Sequence, residues 1–431
     1  MFFRRLRRGA RSPSFSGPAI IGSLDSILDG KCFGWALVEN QESPAAVKIA
    51  VDGSIVAEGT ADEFRRDLLD TGRSTGHCAF VVDLPTEVRD GRFHRVTAMV
   101  GEQIFAELKE VQLIAKLTPA QFDQEAPWLD ADEQTFEREL ECRLSSGEFQ
   151  PELVANLRFF RENGYVCLPG AIPHALIDNV LRDVERAWDA RPSHLMVQSS
   201  SLGSPTALRQ VEQTDGFRRS SFRYLDFHNW SEAGAEIMMH PRVIEFVRAY
   251  LGVTPVAMQT LLFENGTQQR AHQDFAYVHS LNPAALAGAW VALEDVHPDA
   301  GPLFYYAGSH RQVRKHVFEN GTILAEGDGP HIRAFEEYLQ AECERLGLER
   351  VRLIARKGDV LIWHSALVHG GTARANPSLT RKSMVSHYST ADAYPFDRRN
   401  AGARPQVKSR NGATYYALQC DGHREGLFPL D

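Results

Sequence analysis

Cysteine is scarce in this chain and follows no pattern: Cys32, Cys78, Cys142, Cys167, Cys343 and Cys420 include no C-x-x-C pair. A disulfide framework is therefore not expected, and a reducing compartment, the cytoplasm, is the default. Long apolar runs are missing too. No stretch approaches the ~18 residues that a membrane-spanning helix needs, so no integral membrane segment is expected. Basic charge is not in excess either: the formal net charge of −9 gives no broad cationic surface, which argues against nucleic acid as a partner. There is no internal repeat and no low-complexity tract. What remains is a 431-residue chain, 43% hydrophobic and 24% charged, with the balance of an ordinary soluble protein and enough length for more than one domain.

One short region departs from that balance. Arg4, Arg5, Arg7, Arg8 and Arg11 cluster at the start, and no acidic residue precedes Asp25. The apolar Ala19-Ile20-Ile21 that follows is too short for a secretory signal. Residues 1–17 read as a disordered basic tail, with association to an anionic membrane or a transit role left open.

The histidines carry the chemistry. With 16 His and 56 acidic residues, about two His-x-Asp/Glu triplets arise by chance. Three occur: His272/Asp274, His297/Asp299 and His423/Glu425. Pro298 puts the second in a turn, and no His follows the third. The first sits beside strand-like Phe275-Ala276-Tyr277-Val278. On a strand, alternate side chains share a face, so His272 and Asp274 point the same way and Gln273 points away. Far downstream, Gly358-Asp359 is a turn signal before the apolar run Val360–Trp363, which leads to His369-Gly370-Gly371. Two imidazoles and a carboxylate form the facial triad that holds non-haem Fe(II) and leaves positions open for substrate and O2. A second strand, 382–388, is entered by Arg381. If the two strands are neighbours in a barrel, Arg381 can share a cavity with His369 and grip a carboxylate in two parallel hydrogen bonds. Ser383 would face the same side and add a third, which suits 2-oxoglutarate.

These residues resemble the phytanoyl-CoA dioxygenase family of Fe(II)/2-oxoglutarate oxygenases. The resemblance runs over about residues 150–400. It rests on His272-Gln273-Asp274, Trp290–Asp295, Gly301-Pro302-Leu303, Ala307–His310, Gly358-Asp359, His369-Gly370, Asn376 and Arg381 in the family's order, after an entry at Phe160–Val166 and Leu168-Pro169-Gly170. It implies a mainly β domain with helices, a double-stranded β-helix of the jelly-roll or cupin-like kind. His272, Asp274 and His369 would lie on iron and Arg381 on 2-oxoglutarate, with O2 as the other cosubstrate. Gln273 and Trp290 match positions that line the site in relatives, although Trp290 also reads as core and Gln273 as exposed. Gln259, on the preceding strand, is a further candidate for facing the cosubstrate. Gly371 stands where the family often has a small hydroxyl residue. Halogenating relatives replace the carboxylate with a small residue, so Asp274 favours hydroxylation or another oxidative outcome.

The remaining histidines read more plainly. His364 falls on the opposite face from His369 and reads as packed. His310 reads as part of a structural turn, and His387 shares the face of Arg381 and Ser383. His279 and His316 have no patterned partners.

Residues 18–114 form a separate module. Short alternating segments (34–38, 46–51, 79–82 and 96–100) and the turns Asp52-Gly53 and Asp90-Gly91 predict a small antiparallel β-sandwich. With Ala61-Asp62-x-x-Arg65-x-Asp67-Leu68, the pattern resembles a module found beside bacterial glycosyltransferases. Its residues are either purely fold-forming, with Trp35 as core anchor and Arg65–Asp67 as an ion pair, or they dock a glycan or a protein. Residues 115–150 read as a helical linker and 151–431 as the oxygenase domain. Helices are expected over 135–143, 151–161, 178–189 and 332–346, the last as a lid. The expected function is hydroxylation of a C–H bond in a small molecule, with a sugar or glycan-linked substrate leading. The alternative is a catalytically silent glycan-binding or scaffold protein on the same fold.

Overall fold

The computed structural model describes residues 18–417 except 29, 42, 66–67, 70–75, 90–92, 114–116, 125, 193, 200, 203–204, 279, 320, 326–328 and 395–405. The basic tail, the Asp90-Gly91 turn, Asp67, His279, His423 and Cys420 lie outside the described residues. The chain divides into two compact units, 1–115 and 116–431.

The first unit is an antiparallel sandwich. Its strands are β1 (Ile20–Leu28), β2 (Lys31–Val38), β3 (Ala45–Val51), β4 (Ser54–Ala61), β5 (Glu63–Phe64), β6 (His77–Asp83), β7 (Phe93–Val100) and β8 (Gln103–Gln112). They form two four-stranded sheets, β1-β2-β6-β5 and β4-β3-β7-β8. The sheets bury Cys32, Ala36, Val47, Ile49, Phe80, Val82, Val96 and Ala98 between them. Trp35 is not the core anchor expected. The two-residue period of β2 turns Cys32, Ala36 and Val38 inward, so Trp35 faces outward, where it packs with Leu37 against Leu68, Cys78 and Ala79. Gly34 is inward-facing and must be glycine, because a Cβ there would lie 2.5 Å from the Phe80 ring. Arg65 pairs with Asp25, 40 residues away.

The second unit opens with helices. Residues 117–150, expected as a linker, pack into it: Leu129, Phe136, Leu140 and Phe149 join its main core. The helix Glu133–Ser145 is capped by Asp132, whose side chain accepts from the Thr135 N–H at 3.0 Å. The other expected helices run over Pro151–Asn163, His174–Ala190 and Pro330–Arg345.

Among the described residues thirteen strands follow in chain order: β9 (Tyr165–Leu168), β10 (Met196–Ser199), β11 (Thr206–Ala207), β12 (Phe222–Leu225), β13 (Val256–Phe263), β14 (Ala287–Ala292), β15 (Leu303–Tyr306), β16 (Arg350–Arg352), β17 (Val360–His364), β18 (His369–Gly371), β19 (Ser383–Ser389), β20 (Gln406–Arg410) and β21 (Ala413–Ala417). The large sheet runs β11-β10-β12-β13-β19-β14-β17-β9, and a small sheet runs β16-β15-β18. Alternation assigns each face of the large sheet a different neighbour. Ala287, Ala289, Val291, Val360, Ile362, Met384 and Tyr388 pack on the helices through Leu157, Phe160, Val180, Val184 and Phe246. Trp290, Leu361, Trp363 and Val385 face the other way and meet Leu303 and Tyr305 of the small sheet. The outer side of the small sheet, at Phe304 and Tyr306, is covered by Phe335, Leu339 and Cys343 of helix Pro330–Arg345. That helix is thus a packed outer layer. Two facing sheets clad in helices make the double-stranded β-helix; all their pairings are antiparallel except that of β21, which joins β13 in parallel and pairs with β20.

Candidate metal centre

His272 and Asp274 do not share a strand, as the sequence suggested. His272 exchanges two backbone hydrogen bonds with His369 (2.9 and 3.0 Å) in an isolated antiparallel bridge. Asp274 opens a single helical turn, Asp274–Tyr277, closed by the Val278 N–H donating to the Asp274 carbonyl at 2.7 Å. Residues 275–278 are therefore not strand. The two side chains still converge because Gln273 between them is extended (φ −122°, ψ 130°), which preserves the local alternation. Gln273 points away and is fully buried, its amide donating to the Ala366 carbonyl at 2.6 Å. The strands on either side are not neighbours: β14 lies between β17 and β19, while His369 belongs to the small sheet through β18.

The three candidate ligands meet. One donor atom each from His272, Asp274 and His369 lie within 4.8 Å of one another, and all three residues are buried. Asp274 Oδ1 stands 3.7 Å from His272 Nε2 and 3.5 Å from His369 Nε2. Bonds of ~2.0–2.2 Å to one ion would draw such donors to about 3 Å apart, a small contraction from this geometry. Each imidazole is aimed by its other nitrogen. His272 Nδ1 lies 2.8 Å from the Arg270 carbonyl and His369 Nδ1 2.9 Å from the Leu367 carbonyl. Nδ1–H donates in both, so the Nε2 lone pairs face the shared space. The second carboxylate oxygen, Oδ2, accepts from the Trp363 indole N–H at 2.7 Å and lies 3.2 Å from His387 Nε2.

The electrostatics match a cation's needs. Burial, reinforced by neighbouring His369, pushes the His272 imidazole down to about 3, so it stays neutral at physiological pH. Burial alone would raise Asp274, but His369, the His387 hydrogen bond and His272 outweigh it and hold the carboxyl well below its usual range. A neutral His272 imidazole beside an ionised Asp274 carboxylate suits metal binding.

Arg381 is buried, at 3% exposure, and burial pushes its guanidinium down to about 10, only partly offset by Glu294. Its Nη1 donates to the Gly301 carbonyl at a long 3.4 Å, and its Nε has no partner. No ion pair holds it among the described residues. Its Cζ lies 5.9 Å from the Trp290 ring centre. Two further buried donors lack partners on the same face, Trp290 Nε1 and Ser383 Oγ. Buried charges are ordinarily paired; a guanidinium flanked by orphaned donors fits a carboxylate ligand. The residues present therefore fit both a divalent metal and a dicarboxylic cosubstrate.

The remaining expectations sort by face. Gln259 is given to His387, its amide 3.0 Å from His387 Nδ1. His387 reaches Asp274. His364 lies on the helix side, with Nε2 3.1 Å from Asp130 Oδ2. His310 Nε2 lies 3.1 Å from the Arg161 carbonyl, and His316 packs among Phe318, Phe335 and Tyr338. Sequence reasoning missed Trp363. Its signal was present: it shares the parity of Leu361, and an indole N–H on a buried face needs an acceptor.

Fold and donor set together define a class, the non-haem iron, 2-oxoglutarate-dependent oxygenases. The family model described as Phytanoyl-CoA dioxygenase (PhyH) matches residues 160–383, more than half of the sequence. The chain belongs to the phytanoyl-CoA dioxygenase family. It is 22% identical over 282 residues to the peroxisomal phytanoyl-CoA dioxygenase of Homo sapiens, covering 59% of this chain and 76% of that protein. The Bos taurus protein is 22% identical over 260 residues (56% and 69%). Similar solved structures include the non-heme alpha ketoglutarate dependent epimerase SnoN from nogalamycin biosynthesis (TM-score 0.41, 20% identity, 63% of this chain and 96% of that one). EctD from S. alaskensis, solved with 2-oxoglutarate and 5-hydroxyectoine, is another (TM-score 0.42, 18% identity, 57% and 77%). No helix among the described residues is long and apolar enough to cross a membrane.

Proposed function

We propose that this protein is a dioxygenase that hydroxylates a C–H bond of a small molecule, with His272, Asp274 and His369 holding Fe(II) and Arg381 anchoring 2-oxoglutarate. The observation that carries the reading is the buried triad, whose three donor atoms share one space. When bound, ferrous iron and 2-oxoglutarate would supply the oxidising power for hydroxylation of the C–H bond by O2, 2-oxoglutarate being converted to succinate and CO2. The protein's own part is orientation and exclusion of water. The Nδ1–H contacts of His272 and His369 fix both rings. Arg381 Nε, Ser383 Oγ and Trp290 Nε1 are donors for the far carboxylate. The walls Leu361, Trp363 and Val385 keep the space dry. Asp274 supports hydroxylation over halogenation, because a carboxylate fills the position a halide would need.

The substrate reading is a sugar or glycan-linked molecule, supported by the resemblance of the N-terminal module to one found beside glycosyltransferases. Contact with a glycan or protein would fall to that module. A cytoplasmic location is the reading supported by the scattered cysteines, which include no C-x-x-C pair. The complete triad with Arg381 weighs against a silent scaffold. Anaerobic titration with Fe(II) and 2-oxoglutarate tests the reading. A weak visible charge-transfer band that needs both components is expected, followed by succinate release with a candidate sugar. No band at saturating concentrations of both would end it.

A further inference from the structure

A carboxylate can bind a metal through one oxygen or two, and only the first choice leaves three positions open beside two histidines. In this protein four residues in one row across the large sheet bear on that choice. Gln259 of β13 lies opposite His387 of β19, His387 opposite Gly288 of β14, and Gly288 opposite Trp363 of β17. Residues opposite each other in a sheet project from the same face. The gap in the row has no side chain: a Cβ on Gly288 would run into the Trp363 indole. Trp363 and His387 lean across that gap with their rings 6.5 Å apart and perpendicular. Both end on the same atom, Asp274 Oδ2, at 2.7 and 3.2 Å. The Gln259 amide, 3.0 Å from His387 Nδ1, leaves Nε2 as the N–H that points at the carboxylate.

We propose that Trp363 and His387, admitted by the notch at Gly288 and oriented by Gln259, are positioning residues that hold Asp274 Oδ2 away from the metal. The carboxylate then coordinates through Oδ1 alone. Swinging to a chelating pose would break two hydrogen bonds to Oδ2 and fill a position that the cosubstrates require. The inference rests on the metal-site reading above but concerns residues outside the ligand set.

The test is anaerobic binding of Co(II) to the full-length protein, read by calorimetry and by the visible d–d spectrum, with thermal melting as a control for folding. W363F keeps the ring and loses the donor; H387L loses the other donor, and H387Q retains an N–H. W363F and H387L should each weaken Co(II) binding ~10–100-fold, as loss of a ligand's supporting contact does. Both should alter the d–d spectrum, and H387Q should restore much of the affinity. G288A, which displaces the indole, should behave as W363F. If W363F fails to fold, the H387L and H387Q pair carries the test. Folded W363F and H387L proteins that bind Co(II) with unchanged affinity and spectrum would overturn the clamp while leaving the metal site standing. A wild-type protein that binds no Co(II) would overturn both.

Discussion

The two faces of the large sheet share one backbone and bury different things. Toward the helices stand Ala289, Val291, Val360, Ile362 and Met384, matched by Leu157, Phe160, Val180 and Phe246. Toward the small sheet stand Trp290, Trp363, Ser383 and His387 beside Gln259, with two orphaned donors among them and Arg381 at the strand's entry. The first face is closed by apolar contact and needs nothing more. The second is buried equally well but leaves charge and hydrogen-bonding capacity unspent. A protein keeps such a face at a cost in stability, and the difference marks where ligands belong.

The largest effect should come from removing a donor of the triad. Asp274→Ala or His369→Ala should abolish Fe(II) binding and turnover, a loss beyond the ~10–100-fold of supporting residues, while the melting temperature of the metal-free protein changes little. Retention of iron-dependent succinate release in either variant would show that the polar face is not a metal site.

The helix face should fail in the opposite manner. Ile362→Ala opens a cavity among Phe160 and its neighbours and should cost about 2–5 kcal/mol of stability. Metal affinity of the folded protein should be unchanged. Chemical denaturation and Co(II) calorimetry on the same sample would separate the two effects, and a large fall in affinity would blur the comparison.

Arg381 lies between these extremes. Its charge-assisted hydrogen bonds are worth about 1.5–3 kcal/mol, so Arg381→Met should raise the 2-oxoglutarate requirement roughly 10–150-fold with iron still bound. The ligand-free variant should melt higher, since a buried unpaired charge is gone. An unchanged dependence on 2-oxoglutarate would clear Arg381 of this role.

A further effect is graded by pH and compares one histidine from each side. Burial, aided by His364, pushes His310 down to about 3, as burial and His369 do for His272. An unfolded imidazole titrates near 6.5, so between those values the unfolded chain binds more protons. Stability from both is therefore full above pH ~6.5 and falls as pH drops toward 3, by up to ~1.4 kcal/mol per unit for each. Urea unfolding across pH 4–7 should show the slope, and His310→Gln should flatten it without touching metal binding. A slope identical to wild type would remove His310 from the account.

Much of this was legible in the chain. His272, Asp274 and His369 stand out by type and spacing, and the parity of Val360 and Leu361 assigns each to a face. Helix 151–163 was announced by its proline. Other features were not legible. Phe275–Val278 has strand-forming residues yet closes a helical turn, because the Phe275 N–H is taken by the Ser365 carbonyl at 3.2 Å, 90 positions away. Trp35 has the size of a core anchor, but a parity shared with Leu37 puts it outside the sandwich core.

The sequence by itself determined which donors exist and, through the two-residue period of a strand, which of them share a face; that periodicity is a property of neighbouring bonds and needs no fold. Only the tertiary structure decided that β14 would separate β17 from β19 and that Gly288 would open a gap between Trp363 and His387. It alone closed both hydrogen bonds on one oxygen of Asp274. Those outcomes depend on contacts between segments 89, 113 and 128 positions apart. No local preference encodes such pairings; they are chosen when the whole sheet finds the register that buries its apolar face.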